Sequence, residues 1–172
     1  MLRTVTSDIP RAILLILIQI LVLNQLDLFN GSVQPFLYIF ILLLLPFETP
    51  AWAQLLIGLV LGLTMDMFTF TLGMHTSACL VLCYARPGIL RILSPRDGYE
   101  MGMAPTIGHM GILWYLSYAG SLVLIHHFWL FTIEVLRWDL LPSVFLRTLL
   151  SSIATLILIF LVQFLFFRTS KK

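Results

Sequence analysis

Five side chains able to ionise or form strong hydrogen bonds interrupt long apolar runs: Asn24, Asp27, Asp66, His75 and Arg147. A charged group at membrane depth costs about 2.5–3.5 kcal/mol on insertion scales, so each calls for a partner or a role. Either a structural ion pair or a functional polar cluster satisfies that demand. His75, Cys79 and Cys83 recur every four residues, which stacks nitrogen and sulfur donors on one helix face. A tetrahedral metal site needs a fourth ligand, and no CxxC or HExxH spacing accompanies these three. Cysteines buried in apolar surroundings account for the ladder, and no metal or cofactor is expected. His126 and His127 are adjacent and point to different helix faces, which suits interfacial histidines better than haem ligands. No Ser/His/Asp set, carboxylate pair, phosphate-cradling loop or nucleophile elbow can be assembled, so no catalytic residue is expected.

The elements that must position these groups follow from composition. Of 172 residues, 60% are hydrophobic and 10% charged, against about 25% charged in a soluble domain. Lipid must be the solvent for most of the chain. A crossing needs about 20 apolar residues, so the length fits an all-α bundle of six transmembrane helices forming one integral membrane domain over residues 1–172. The expected spans are about 12–29, 33–45, 51–70, 72–90, 112–131 and 140–167. The first carries no A-x-A cleavage pattern and reads as a retained helix. The second is closed by Pro46 and Pro50 and reaches only about 20 Å as a helix, so it must be sheltered by its neighbours.

Charge bias decides that the short run crosses. With six spans, Arg3, Arg11, Arg86, Arg91, Arg96, Arg168, Lys171 and Lys172 all fall on the cytoplasmic side with both termini, and Arg137 alone lies in an outside loop. Five spans would divide the eight. Arg86, Arg91 and Arg96 then form a basic face on the longest loop, from Arg86 to His109, where Pro87, Pro95 and Pro105 argue against a continuous helix. Scattered basic residues do not make a nucleic-acid stripe, and no nucleic-acid partner is expected. Trp52, Trp114, Trp129 and Trp138 sit near span ends as interfacial anchors, and Glu48 reads as a solvated loop residue. Gly58 and Gly62 form a G-x-x-x-G that marks either an internal packing face or a dimer interface.

The same topology places Asp66 and Arg147 at nearly equal depth. Asp66 lies about fifteen residues along an outward-running helix and Arg147 about seven along an inward-running one, so both sit roughly 8–10 Å below the outer surface. They are expected to pair directly or through a water, with Asp27 or Asn24 competing for Arg147.

The chain resembles the rod shape-determining protein MreD family. The likeness lies in Leu23-Asn24-Gln25-Leu26-Asp27-Leu28-Phe29, in Gln34-Pro35-Phe36-Leu37-Tyr38, in Gly62-Leu63-Thr64-Met65-Asp66-Met67-Phe68 followed by Gly73-Met74-His75, and in Tyr84-Ala85-Arg86-Pro87. The resemblance implies a non-enzymatic inner-membrane subunit of the cell-wall elongation machinery that sets rod shape. It implies an MreC-like protein, the RodA glycosyltransferase with its penicillin-binding transpeptidase, and MreB filaments as partners, with membrane lipid around the bundle. The family fold is similar to the substrate-binding subunits of energy-coupling-factor vitamin transporters, which implies small-molecule capture as the alternative function.

Overall fold

The computed structural model describes residues 2–166 except 27, 30 and 101, with side chains from residue 9 to residue 165. Asp27, Arg168, Lys171 and Lys172 lie outside the described residues. The described chain is all-helical: α1 (Leu2–Leu21), α2 (Ile39–Leu43), α3 (Ala51–Thr69), α4 (Met74–Ile92), α5 (Ile107–Met110), α6 (Ile112–Val135) and α7 (Leu141–Phe166). Among the described residues three helices are long and apolar enough to cross a membrane, Ala51–Thr69, Ile112–Val135 and Trp138–Leu165.

The last helix reveals the solvent for which the chain is built. Its inward face carries Thr148, Ser151, Ser152, Thr155 and Gln163, all nearly inaccessible, while Phe145, Leu146, Leu149, Ile153, Ile157, Leu161 and Phe164 stand exposed. In water that distribution would be inverted. Small and hydroxyl-bearing residues inside, with large apolar residues outside, is how helices pack when the surroundings are as apolar as leucine.

Helices α3 and α4 form a tight antiparallel pair. Phe70 caps α3 in the left-handed region (φ 56°), and Gly73 at φ 81° supplies the second reversal before α4. The two axes approach closely at Gly62, where an added Cβ would lie 2.4 Å from the Thr76 Cα, and at Gly58, where it would lie 2.7 Å from the Cys83 sulfur. The G-x-x-x-G is therefore the internal packing face of α3 against α4, not a dimer interface. Cys79 and Cys83 are buried free thiols in that seam.

Between Val33 and Leu45 the expected short helix is replaced by something else. Only Ile39–Leu43 is helical, and the chain before it is unwound. Pro35 removes an amide donor and pushes Gln34 away from the helical region, and Pro46 closes the far side, so little length remains for a helix. The segment is sheltered as expected: Phe36 to Phe40, Leu42 and Leu43 are essentially inaccessible. It runs beside α4, with Tyr38 against His75 and the Leu45 carbonyl against Arg86. These two neighbourhoods define the His75 end and the Arg86 end of the bundle.

Two further boundaries differ from expectation. Helix α1 stops at Leu21 and turns through a 3-10 segment, Leu23–Gln25, rather than continuing to Phe29. The Gln19 amide donates to Asn24 Oδ1 at 2.8 Å across that turn, which holds the reversal in place. Helix α4 continues through Pro87 to Ile92, so Arg86 and Pro87 lie within a helix and not in a loop.

Close approach at Gly62 leads to a direct expectation for stability. Gly62→Ala forces two helix backbones apart and should cost about 1–3 kcal/mol. Gly120→Ala on α6, where no atom lies within 4 Å of the added carbon, should instead stabilise by about 0.4–1 kcal/mol. Thermal unfolding of the two variants in detergent distinguishes them.

Candidate functional site

The His75 end gathers several of the buried polar side chains. Asp66, on the last turn of α3, is 7% exposed yet fully engaged. Its Oδ1 accepts from the Thr71 hydroxyl at 2.6 Å and the His75 amide at 3.0 Å, and its Oδ2 accepts from the Thr76 amide at 2.9 Å and the Thr76 hydroxyl. Gly73 has no side chain to cap α4, so Asp66 performs that role from the preceding helix. The carboxylate also faces the positive end of the α4 dipole.

His75 then points its ring to the centre. The Tyr38 hydroxyl lies 2.9 Å from His75 Nδ1 and 2.9 Å from His126 Nε2, bridging the two imidazoles. His127, beside it, lies 2.9 Å by Nδ1 from the Val123 carbonyl and 3.1 Å by Nε2 from the Thr155 hydroxyl. Phe36 packs among the three imidazoles, with ring centroids 5.3, 6.0 and 5.1 Å from His75, His126 and His127. The expectation that His126 and His127 sit at an interface is wrong: both are wholly buried. Adjacent residues do point to different faces, but α6 is covered on both, by the threaded segment on one and by α7 on the other.

The unwound backbone draws on the same neighbourhood. Gln19 Oε1 accepts from the Leu37 amide at 2.6 Å, and its Nε2 donates to the Pro35 carbonyl at 3.1 Å. The Gln34 amide donates to Ser151 Oγ and the Phe36 amide to Thr155 Oγ1, each at 3.0 Å. Single residues from α1 and α7 thus replace the hydrogen bonds that a helix would have made internally.

Arg147 does not join this cluster. Its guanidinium pairs with Glu134 at 2.9 Å and lies 4.2 Å from the Phe131 ring centroid, so the expected partnership with Asp66 is overturned. Equal depth is a coordinate along the bundle only. Asp66 turns toward the α4 terminus, whereas Arg147 turns toward the end of α6. Asn24 bonds to Gln19 and not to Arg147.

At the opposite end, Arg86 departs from the expected basic face. Its side chain is wholly buried, donates from Nε to the Tyr118 hydroxyl at 2.7 Å, and donates from Nη2 to the Leu45 carbonyl. A guanidinium at the carboxyl end of α2 meets carbonyls left without amide partners. Arg91 and Arg96 are exposed, as a basic face requires. Phe47 and Tyr99 stack at 4.1 Å beside Trp114, whose indole donates to the Leu93 carbonyl at 2.7 Å. Partial burial raises the Tyr99 phenol above its ordinary value, and its hydroxyl donates to the Leu90 carbonyl. Glu48 is exposed and accepts from the Gly102 amide at 2.8 Å.

Sequence reasoning brought Asp66 and His75 to one place but missed Tyr38, Gln19, Glu134 and the histidine pair as interior groups. A lone glutamine in an apolar helix and the Ser151-Ser152-Thr155 stripe were the available signals. The chain matches no family model, no curated protein and no solved structure.

The observed pairing changes the expected outcome of mutagenesis. Asp66→Asn removes a charged acceptor and should cost about 1.5–3 kcal/mol. Combined with Arg147→Gln it should be additive within about 0.5 kcal/mol, while Glu134→Gln and Arg147→Gln should couple. Unfolding free energies for the two double-mutant cycles check this, and coupling in the first without the second would contradict the geometry.

Proposed function

We propose that this chain is a non-enzymatic subunit of the inner-membrane machinery that elongates the bacterial cell wall, scaffolding an MreC-like protein and, with it, the RodA glycosyltransferase and its transpeptidase. In this reading the chain makes six crossings with both termini cytoplasmic, the His75 end facing outward and the Arg86 end inward. The observation that carries it is the use of the interior polar groups. Asp66 caps a helix, Gln19, Ser151 and Thr155 hold unwound main chain, and Arg86 binds helix-end carbonyls. A catalytic group needs freedom to exchange protons or bonds with a substrate, and these groups are committed to holding shape. Large apolar faces on α1, α6 and α7 remain for lipid and partner helices. The family likeness of the Asp66 and Tyr38 segments supplies the identity of the partners.

Six crossings are supported by the threaded segment, which reaches from the neighbourhood of His75 to that of Arg86 although its helix has only five residues. The topology is checked by Asp97→Cys, at an exposed position, with a membrane-impermeant thiol reagent. Labelling is expected only after the cells are opened, and the native cysteines are too buried to contribute. Labelling in intact cells would overturn the orientation. For function, depletion should round rod-shaped cells, and affinity capture from detergent extracts should recover the MreC-like protein. Capture of an ATPase with a coupling subunit instead would favour the transporter alternative.

A further inference from the structure

The His75 end also contains a pocket of about 390 Å³ between the ends of α1, α3, α4 and α6. That volume suits a small molecule and not a peptide. Phe36 and Phe68 contribute aromatic walls, and Asn24, Gln34, Thr71 and His75 are among the polar groups that line it. From these we propose that the pocket binds an uncharged sugar ring. This goes beyond the scaffolding role and does not depend on it.

Charge excludes the ionic alternatives. Glu134 is the one charged side chain lining the pocket among the described residues, and it is paired with Arg147. Asp66 lies just behind Thr71 and His75 with four donors already in place. An anion would approach two carboxylates and find no free cation among the described residues, and a cation would find Asp66 saturated with donors and Glu134 already charge-paired with Arg147. An uncharged ligand avoids both costs.

The polar groups specify what that ligand must present. Tyr38 has one hydroxyl proton, and an imidazole nitrogen is a far better acceptor than the Cys79 thiol also beside it, so one of the two imidazoles donates to the hydroxyl and the other accepts from it. His126 Nδ1 is buried with no partner. An orphaned buried N–H is avoided if His126 carries its proton on Nε2 and donates to Tyr38, which leaves Tyr38 donating to His75 Nδ1. The His75 proton then resides on Nε2, on the ring edge away from Tyr38. Asn24 Oδ1 is occupied by Gln19, which leaves its amide nitrogen to donate. The Thr71 hydroxyl donates to Asp66 and lies 2.8 Å from Thr69 Oγ1, so it offers a ligand only its remaining lone pair. His75 and Asn24 therefore ask for acceptor oxygens and Thr71 for a donor, and the side-chain amide of Gln34 has groups for either. Hydroxyls fill both roles, and the apolar faces of a sugar ring suit Phe36 and Phe68.

The test uses the purified full-length chain in detergent, with N-acetylglucosamine as the probe and glucosamine and glucuronate as its charged counterparts. Equilibrium dialysis at millimolar sugar should detect N-acetylglucosamine bound at least about tenfold more tightly than either charged sugar. Asn24→Leu should weaken binding by about five- to tenfold, the worth of one hydrogen bond. His75→Leu should weaken it similarly, and His75→Gln, which keeps a donor, should restore it. Asn24 is exposed but also accepts from Gln19, so Asn24→Asp, which keeps that acceptor and lacks the amide donor, should weaken binding as well and keeps the test valid even if His75→Leu fails to fold. No detectable binding of N-acetylglucosamine, equal binding of all three sugars, or binding indifferent to Asn24→Leu would each overturn the proposal. None of these results would bear on capture of the MreC-like protein.

Discussion

The structure depends on one constraint: main chain that is not helical, placed in the middle of an apolar bundle, must have every amide and carbonyl bonded to something. In hydrocarbon each such group left unpaired costs several kcal/mol, so unwound backbone at membrane depth is tolerated only inside protein. Residues 34–38 impose that demand here. Gln19 meets it with both ends of its amide, and Ser151 and Thr155 meet it from the other side. The positions of α1 and α7 follow, because each must bring its one or two polar side chains into register with particular amides of a single strand of chain.

That constraint explains why the interior is so polar in composition. Tyr38, three histidines, two threonines and a glutamine occupy a region that a soluble protein would fill with leucine. Yet their hydrogen bonds run overwhelmingly to one another or to backbone. The bulky aliphatic residues are turned outward, where they meet lipid at no cost. The Arg86 end repeats the logic with a cation: the guanidinium holds the Leu45 and Pro46 carbonyls where α2 ends, and it draws Tyr118 of α6 into the same network. The threaded segment is thus tied at both ends and at intervals between.

How much of this was legible in the sequence depended on what kind of coordinate was being read. Position along a helix axis is recorded by apolar length, and α3, α4, α6 and α7 fall close to their expected limits. Rotation about the axis is recorded only by periodicity, which fails when a helix is apolar all round. Hence the false pairing of Asp66 with Arg147, which shared a depth but faced different neighbours. His126 and His127 were assigned to an interface because their span was expected to end at about 131, whereas α6 runs on to Val135 and leaves them about two turns inside it. Pro87 misled in a different way: it was read as opening a loop, whereas α4 continues through it and buries Arg86. Gly58 and Gly62 were recognisable as a close-approach motif, but only the Thr76 backbone opposite Gly62 identifies α4 as the partner.

The pocket at the His75 end has the same origin as the unwound chain. A full helix from Val33 to Leu45 would carry side chains in every direction, whereas chain drawn out past Pro35 is narrow and projects fewer of them per unit length. Phe36 fills part of the difference by packing among the imidazoles. The early stop of α1 at Leu21 withdraws another helix end from the same region, leaving the 3-10 turn with Asn24 at its margin. Two helices cut short at one end of a bundle leave space that the remaining ends of α3, α4 and α6 do not close. The groups that surround the space are polar because they were already required there, to hold the main chain whose departure from helix created it.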